Sequence, residues 1–197
     1  MRILIVAPTH REFRNITAAV EKRTAPHHDY TIIESGIGKA GAAATVGATL
    51  ATAEHPFDRI VVIGFAAGSK GMHQGDIVVP NRAQYHDCDV PEGFIPELTN
   101  PISLSGGSEG VMVFTGDSFV NADIVRDIKE RFGVEHAIFD MEITSIAIAV
   151  KRCFNIPGFA MKMISDVPEA GHTEQSYDEF ADSHADFSAF VEVLDRL

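Results

Sequence analysis

The chain has 197 residues, 45% apolar and 22% charged, an ordinary globular balance with enough apolar mass for a substantial core. Its formal net charge of −12, from 16 basic and 28 acidic residues, repels phosphate backbones and argues against nucleic acid as a partner. No apolar run approaches the roughly 18–20 residues that cross a bilayer. Only two cysteines occur, Cys88 and Cys153, without metal-type spacing, which fits a reducing cytoplasm better than a disulfide framework.

Residues 2–7 form an aliphatic run, read as a strand covered on both faces. A leader peptide is the weaker reading, because the apolar stretch is short and Arg11, Glu12 and Arg14 follow at once. A polar helix is expected over about 11–22 and a short strand over 30–34. After the segment 35–41, an Ala/Gly/Thr-rich helix runs to about Glu54, with side chains small enough to pack closely on a sheet. Residues 59–63 are a third strand, and Gly64-Phe65-Ala66-Ala67-Gly68 reads as a small-residue loop. Extended segments follow at 77–79 and 82–87. The stretch 91–107, with three prolines and several glycines and serines, is expected to be irregular. A strand at 111–115, a helix at 121–131 and a short strand at 137–139 lead to a helix beginning near Glu142. The last strand is 159–164. Residues 176–197 read as one amphipathic helix, with Phe180, Phe187, Phe190, Val191 and Leu194 at helical spacings. Strands alternating with helices predict an α/β fold. It is read as a single domain over 1–197, with a central, mostly parallel mixed sheet and helices on both faces.

In such sheets the carboxyl ends of the strands face the ligand crevice. Glu142 follows one strand and Ser165-Asp166 ends another, so two carboxylates are expected to project into one crevice. The plainer alternative makes Glu142 a helix-capping group and Asp166 the start of a turn. Glu12, just past the first strand, is by itself an ordinary helix residue. Gly116-Asp117-Ser118-Phe119-Val120-Asn121 follows a strand end. There Asn121 can cap a helix, while Phe119 can offer a flat stacking surface and Val120 its backbone groups. Gly36-Ile37-Gly38-Lys39-Ala40-Gly41 matches G-x-G-x-x-G between a strand and a helix, but a tight turn accounts for it as well. His86-Asp87-Cys88-Asp89 cannot all meet one ion, because neighbours on a strand point to opposite faces, and no metal site is expected.

The runs Asp140-Met141-Glu142-Ile143-Thr144-Ser145-Ile146-Ala147 and Ile164-Ser165-Asp166 resemble the 5′-methylthioadenosine/S-adenosylhomocysteine nucleosidases of the purine nucleoside phosphorylase superfamily. So do Gly75–Val79 with Tyr85–Val90, Gly116–Asn121 and Ser35–Lys39. The resemblance implies a nucleoside phosphorylase-like fold, a homodimer, no cofactor, and release of adenine from a nucleoside with a 5′ substituent. It implies Glu12 and Asp166 as catalytic residues, the first activating water and the second protonating the base. It assigns Ala66, Phe119, Val120, Met141, Glu142 and Ser165 to the substrate. Three departures stand out. Phe65 occupies a place where the family carries serine, and the chain looks shortened both before Tyr30 and after Val90. Phosphorolysis, a futalosine hydrolase-like activity, a dinucleotide-dependent oxidoreductase and an inactive nucleoside binder remain as alternatives.

Overall fold

The computed structural model describes residues 1–23, 27–91 and 93–197. Part of the segment expected to be shortened before Tyr30 (24–26), and Glu92 within 91–107, lie outside the described residues. The strands are β1 (Arg2–Ala7), β2 (Asp29–Glu34), β3 (Arg59–Gly68), β4 (Ile77–Val78), β5 (Pro80–Tyr85), β6 (Ile102–Ser103), β7 (Ser108–Thr115), β8 (Ala137–Asp140) and β9 (Gly158–Asp166). The helices are α1 (His10–Glu21), α2 (Lys39–Thr52), α3 (Pro96–Thr99), α4 (Ala122–Phe132), α5 (Ile143–Cys153), α6 (Glu174–Ser183) and α7 (Ser188–Leu194).

One mixed sheet runs β2-β1-β3-β8-β7-β5-β6, with β9 paired to β3 and β4. The β1–β2, β1–β3, β3–β9, β5–β7 and β7–β8 ladders are parallel, while β3–β8, β4–β9 and β5–β6 are antiparallel. Both faces are covered, as a largely parallel sheet requires. Leu4, Val6, Ile60, Val62, Ala160 and Ile164 pack under α2 and α5. Ile3, Ile5, Val61, Ile63, Met161 and Met163 pack under α1, α6 and α7, so the period of two along each strand sorts the sheet into two cores. A third cluster seats α4 on β7 and β8, around Phe114, Val125, Ile128 and Phe139.

Three expectations change. The residues 64–68 are not a loop but the second half of β3, which pairs through Ala66 with β9, slips register between Ala66 and Ala67, and ends against β8. Small residues here serve close packing between neighbouring strands instead of chain reversal. The C-terminal segment is two helices, not one. The His184 amide closes α6 on Phe180, the Ser183 hydroxyl bonds back to the Glu179 and Phe180 carbonyls, and Asp186 takes the Ser188 amide at 2.9 Å to start α7. Between them Phe187 is driven fully into the core. The 91–107 stretch holds a short helix, α3, and the edge strand β6.

Candidate active site

The carboxyl ends of β1, β3, β7, β8 and β9 open into one cavity of about 150 Å³. That is an order of magnitude more than the roughly 10–15 Å³ that holds a single water. All eight residues singled out from the sequence line it: Glu12, Ala66, Phe119, Val120, Met141, Glu142, Ser165 and Asp166. Pro8, Thr9, Ile37, Asp140 and Tyr177 complete much of the wall, and among the described residues no lysine, arginine or histidine lines it.

Asp166 ends β9, buried, with the Ser165 hydroxyl 2.6 Å from its Oδ1. Burial raises the Asp166 pKa, and the Ser165 hydrogen bond and nearby His172 oppose that rise. The Ser165 hydroxyl also lies 3.1 Å from the Ala66 carbonyl, so its single proton has two acceptors. Glu142 stands at the start of α5 but does not cap it. Asp140 does so instead, taking the Ile143 amide at 3.0 Å and the Thr115 hydroxyl at 2.6 Å. Glu142 is left free to turn into the cavity, where it accepts the Gly38 amide at 3.0 Å. Burial raises its pKa to about 7 against the pull of Lys162.

Glu12 combines both readings given to it. As the third residue of α1 it forms a capping box with Thr9, accepting the Thr9 amide at 2.9 Å and hydroxyl at 2.7 Å on Oε2. Its Oε1 accepts the Phe65 amide at 2.7 Å. Three of about four lone-pair directions are therefore occupied, which leaves one open to the cavity. A Cβ at Gly64 would collide with this carboxylate, so β3 can pass Glu12 only with glycine there. Phe65 uses its backbone to fix Glu12 and its ring to meet Tyr177, Phe180 and Phe187 edge-on. It thus forms the cavity wall as part of the aromatic core.

At the mouth Phe119 is 51% exposed and meets Tyr177 edge-on at 5.7 Å. Asn121 caps α4 through the Ile124 amide. The G-x-G-x-x-G segment turns at Gly38, whose φ of +88° favours glycine. The first amides of α2 hold protein carboxylates: Gly38 holds Glu142, and Lys39 holds Asp117 at 2.9 Å. A dinucleotide fold would offer such amides to a pyrophosphate. Of the His86–Asp89 run, Asp87 is bound by the Lys39 ammonium at 2.8 Å and by the Asp117 amide, while buried His86 packs against Gly116.

Sequence reading missed Lys162, Tyr177 and Asp140. Lys162 is 1% exposed, with its ammonium 3.4 Å from Asp140 and 3.9 Å from Glu142. Its signal was present, a lone charge inside an otherwise apolar strand. Tyr177 gave none, since a tyrosine near the start of an amphipathic helix is unremarked packing.

The site is thus a buried set of carboxylates at the strand ends of an α/β sheet, under an aromatic mouth. The family model described as the phosphorylase superfamily matches residues 6–106. A 5′-methylthioadenosine/S-adenosylhomocysteine nucleosidase from Haemophilus influenzae is 33% identical, over 86% of this chain and 82% of its own length. Among solved structures, an S-adenosylhomocysteine nucleosidase from Streptococcus pyogenes in complex with 5-methylthiotubericidin superposes with a TM-score of 0.82. It is 22% identical and covers 100% of this chain and 97% of its own. The S. pneumoniae 5′-methylthioadenosine/S-adenosylhomocysteine nucleosidase with a transition-state inhibitor has a TM-score of 0.78. It is 25% identical, covering 99% and 98%. The chain belongs to the 5′-methylthioadenosine/S-adenosylhomocysteine nucleosidase family of the phosphorylase superfamily.

Proposed function

We propose that this chain hydrolyses the N-glycosidic bond of an adenine nucleoside carrying a 5′ substituent and releases adenine. The observation that carries this reading is the convergence of Asp166, Glu142 and Glu12 on one cavity beneath Phe119. Asp166 is the proton donor to the leaving base. A buried carboxyl with a raised pKa holds its proton more readily than a free one and can give it up in the transition state. Ser165 suits both states of the step. It can donate to Ala66 while Asp166 is protonated, and to Asp166 Oδ1 once the proton has left. Glu142 accepts hydrogen bonds from the ribose hydroxyls, with Met141 and Ala66 against the sugar. Glu12, through its remaining lone pair, takes the proton of the attacking water. Phe119 stacks on the base, and Val120 offers its backbone groups to the base edge.

Hydrolysis is favoured over phosphorolysis by the charge of the wall. Two nearby basic side chains that could hold phosphate are already partnered, His10 with Glu34 at 2.9 Å and Arg11 with Asp182 at 2.9 Å. An oxidoreductase reading loses its pyrophosphate site to Glu142 and Asp117. Residues 1–197 are read as one catalytic domain, since the three apolar clusters share one sheet. The chain is read as a homodimer in contact near the loop after Gly68 and the segment around Pro91. Phe94, 73% exposed in that segment, supports this. A cytoplasmic setting is supported by two free cysteines, and among the described residues no helix is long and apolar enough to cross a membrane.

The test is a panel of purine nucleosides with varied 5′ groups, assayed for free base with and without phosphate. Adenine release independent of phosphate is expected. A strict phosphate requirement would replace hydrolysis by phosphorolysis, and no release from any nucleoside would leave a binder.

A further inference from the structure

Lys162 is the charge that neither the fold nor the proposed chemistry uses so far. It lies in the middle of β9, where Met161 and Met163 face the core under α1 and α7 while Ala160 and Ile164 face α2 and α5. The period of two sends Lys162 to the second side, beneath the cavity. Its side chain is 1% exposed, and its ammonium reaches Asp140 of β8 at 3.4 Å and Glu142 at 3.9 Å.

Taking an ammonium out of water costs several kcal/mol, and a buried ion pair seldom stabilises a fold more than apolar residues of the same size would. A methionine like its neighbours would fill the same space, so packing alone does not account for the lysine. The distribution of hydrogen bonds points to what does. Glu12 has three donors, and Asp140 has Thr115 and Ile143 besides Lys162. Among the described residues Glu142 has the Gly38 amide and, beyond that, only the Lys162 ammonium. Two other groups that face it work against its charge, Asp140 from β8 and Glu12 from α1, while the Tyr177 hydroxyl from α6 is neutral. Burial is the largest influence on Glu142 and favours its protonated form, and Lys162 is the largest opposing one. A protonated Glu142 would lose half its accepting capacity, and a vicinal diol needs two acceptors.

We propose that Lys162 is a positioning residue for the sugar: held between Asp140 and Glu142, it keeps the Glu142 carboxylate ionised and aimed into the cavity to receive both ribose hydroxyls. This rests on the nucleoside reading above. It separates the ligand into two parts, because the base is handled by Asp166 and Phe119 and lies outside the reach of Lys162.

The test measures KM for methylthioadenosine and the inhibition constant of free adenine from pH 6 to 9. It compares wild type, Lys162→Met and Lys162→Arg, with a thermal melt for each. In Lys162→Met the KM at pH 7 should rise about tenfold or more and return towards wild type by pH 9, a shift of one pH unit being tenfold in the ionised fraction. Adenine inhibition should stay within about twofold, and Lys162→Arg should follow the wild-type curve. Superimposed KM profiles for Lys162→Met and wild type would overturn the proposal. So would a parallel loss of nucleoside and adenine at every pH, which marks a purely structural role. If Lys162→Met does not fold, Lys162→Met/Asp140→Asn, which removes one carboxylate together with the ammonium, is held to the same criteria. A wild type that binds adenine but no nucleoside at any pH refutes the nucleoside reading, and this inference with it. A wild type that cleaves nucleosides while the variant keeps its profile refutes this inference alone.

Discussion

The floor and the mouth of the cavity are built on opposite principles. At the floor, ionisable groups are buried and individually held: Glu12 by three hydrogen bonds, Asp166 by Ser165, Glu142 by Gly38 and Lys162. At the mouth, apolar side chains are exposed on loops, Phe119 and Ile37 foremost. Chemistry needs donors and acceptors fixed before the substrate arrives, because reorienting them during the reaction adds to the barrier. Recognition of a base or a 5′ tail needs area and tolerance, which exposed rings on loops provide. Substitutions at the proposed acid and base of the floor should therefore act on kcat, those at its sugar-facing pair on the pH profile of KM, and those at the mouth on KM alike at every pH.

Asp166→Asn tests the contrast most severely. An amide cannot supply the departing proton, so kcat for adenine release should fall by about 10²–10⁴-fold with little change in KM. If more than about a tenth of kcat survives, a loss under ~1.4 kcal/mol, Asp166 is not the acid.

Glu12→Gln comes next, and it should register twice. Water activation is lost, with kcat down by about 10²-fold or more. The capping box and the Phe65 contact are also weakened, at a stability cost of about 1 kcal/mol, which a thermal melt reads. Lost activity without any change in melting would mean that the carboxylate is dispensable to α1.

The pH profile of the wild type sharpens the same division. In the proposed role Glu142 is ionised to accept the ribose, and its raised pKa means that kcat/KM should fall as pH drops through about 7. Asp166 must be protonated, and its raised pKa extends activity upward until kcat falls as the group ionises. A kcat/KM that does not fall as pH drops through about 7 would contradict the Glu142 assignment, and a kcat that never falls as pH rises would contradict that of Asp166.

The mouth should give the smallest effect. Phe119→Ala removes a half-exposed stacking surface and should raise KM by roughly two- to tenfold, about 0.5–1.5 kcal/mol, with kcat unchanged. A fall in kcat instead would place Phe119 with the floor.

Local pattern in the sequence determined the strand and helix alternation, the positions of Glu142 and Asp166 at strand ends, and the cap at Asn121. Each depends on neighbours in the chain: period, capping residues, an apolar run followed by a polar stop. The strand character of 64–68 was hidden, because small residues read as a loop until β9 and β8 lie alongside. The break before α7 was hidden too, since the helical spacing of Phe180, Phe187 and Phe190 continues through it. Only the tertiary structure decided that Glu12 could serve as more than a cap, because that depends on Gly64 leaving room and Phe65 offering its amide from 53 residues away. The same holds for Lys162. A charge in a strand is legible in the sequence, but its meaning lies in the two carboxylates that β8 and α5 bring within 4 Å. Electrostatic partnership is set by distance in space and by the exclusion of water, and neither is written along the chain.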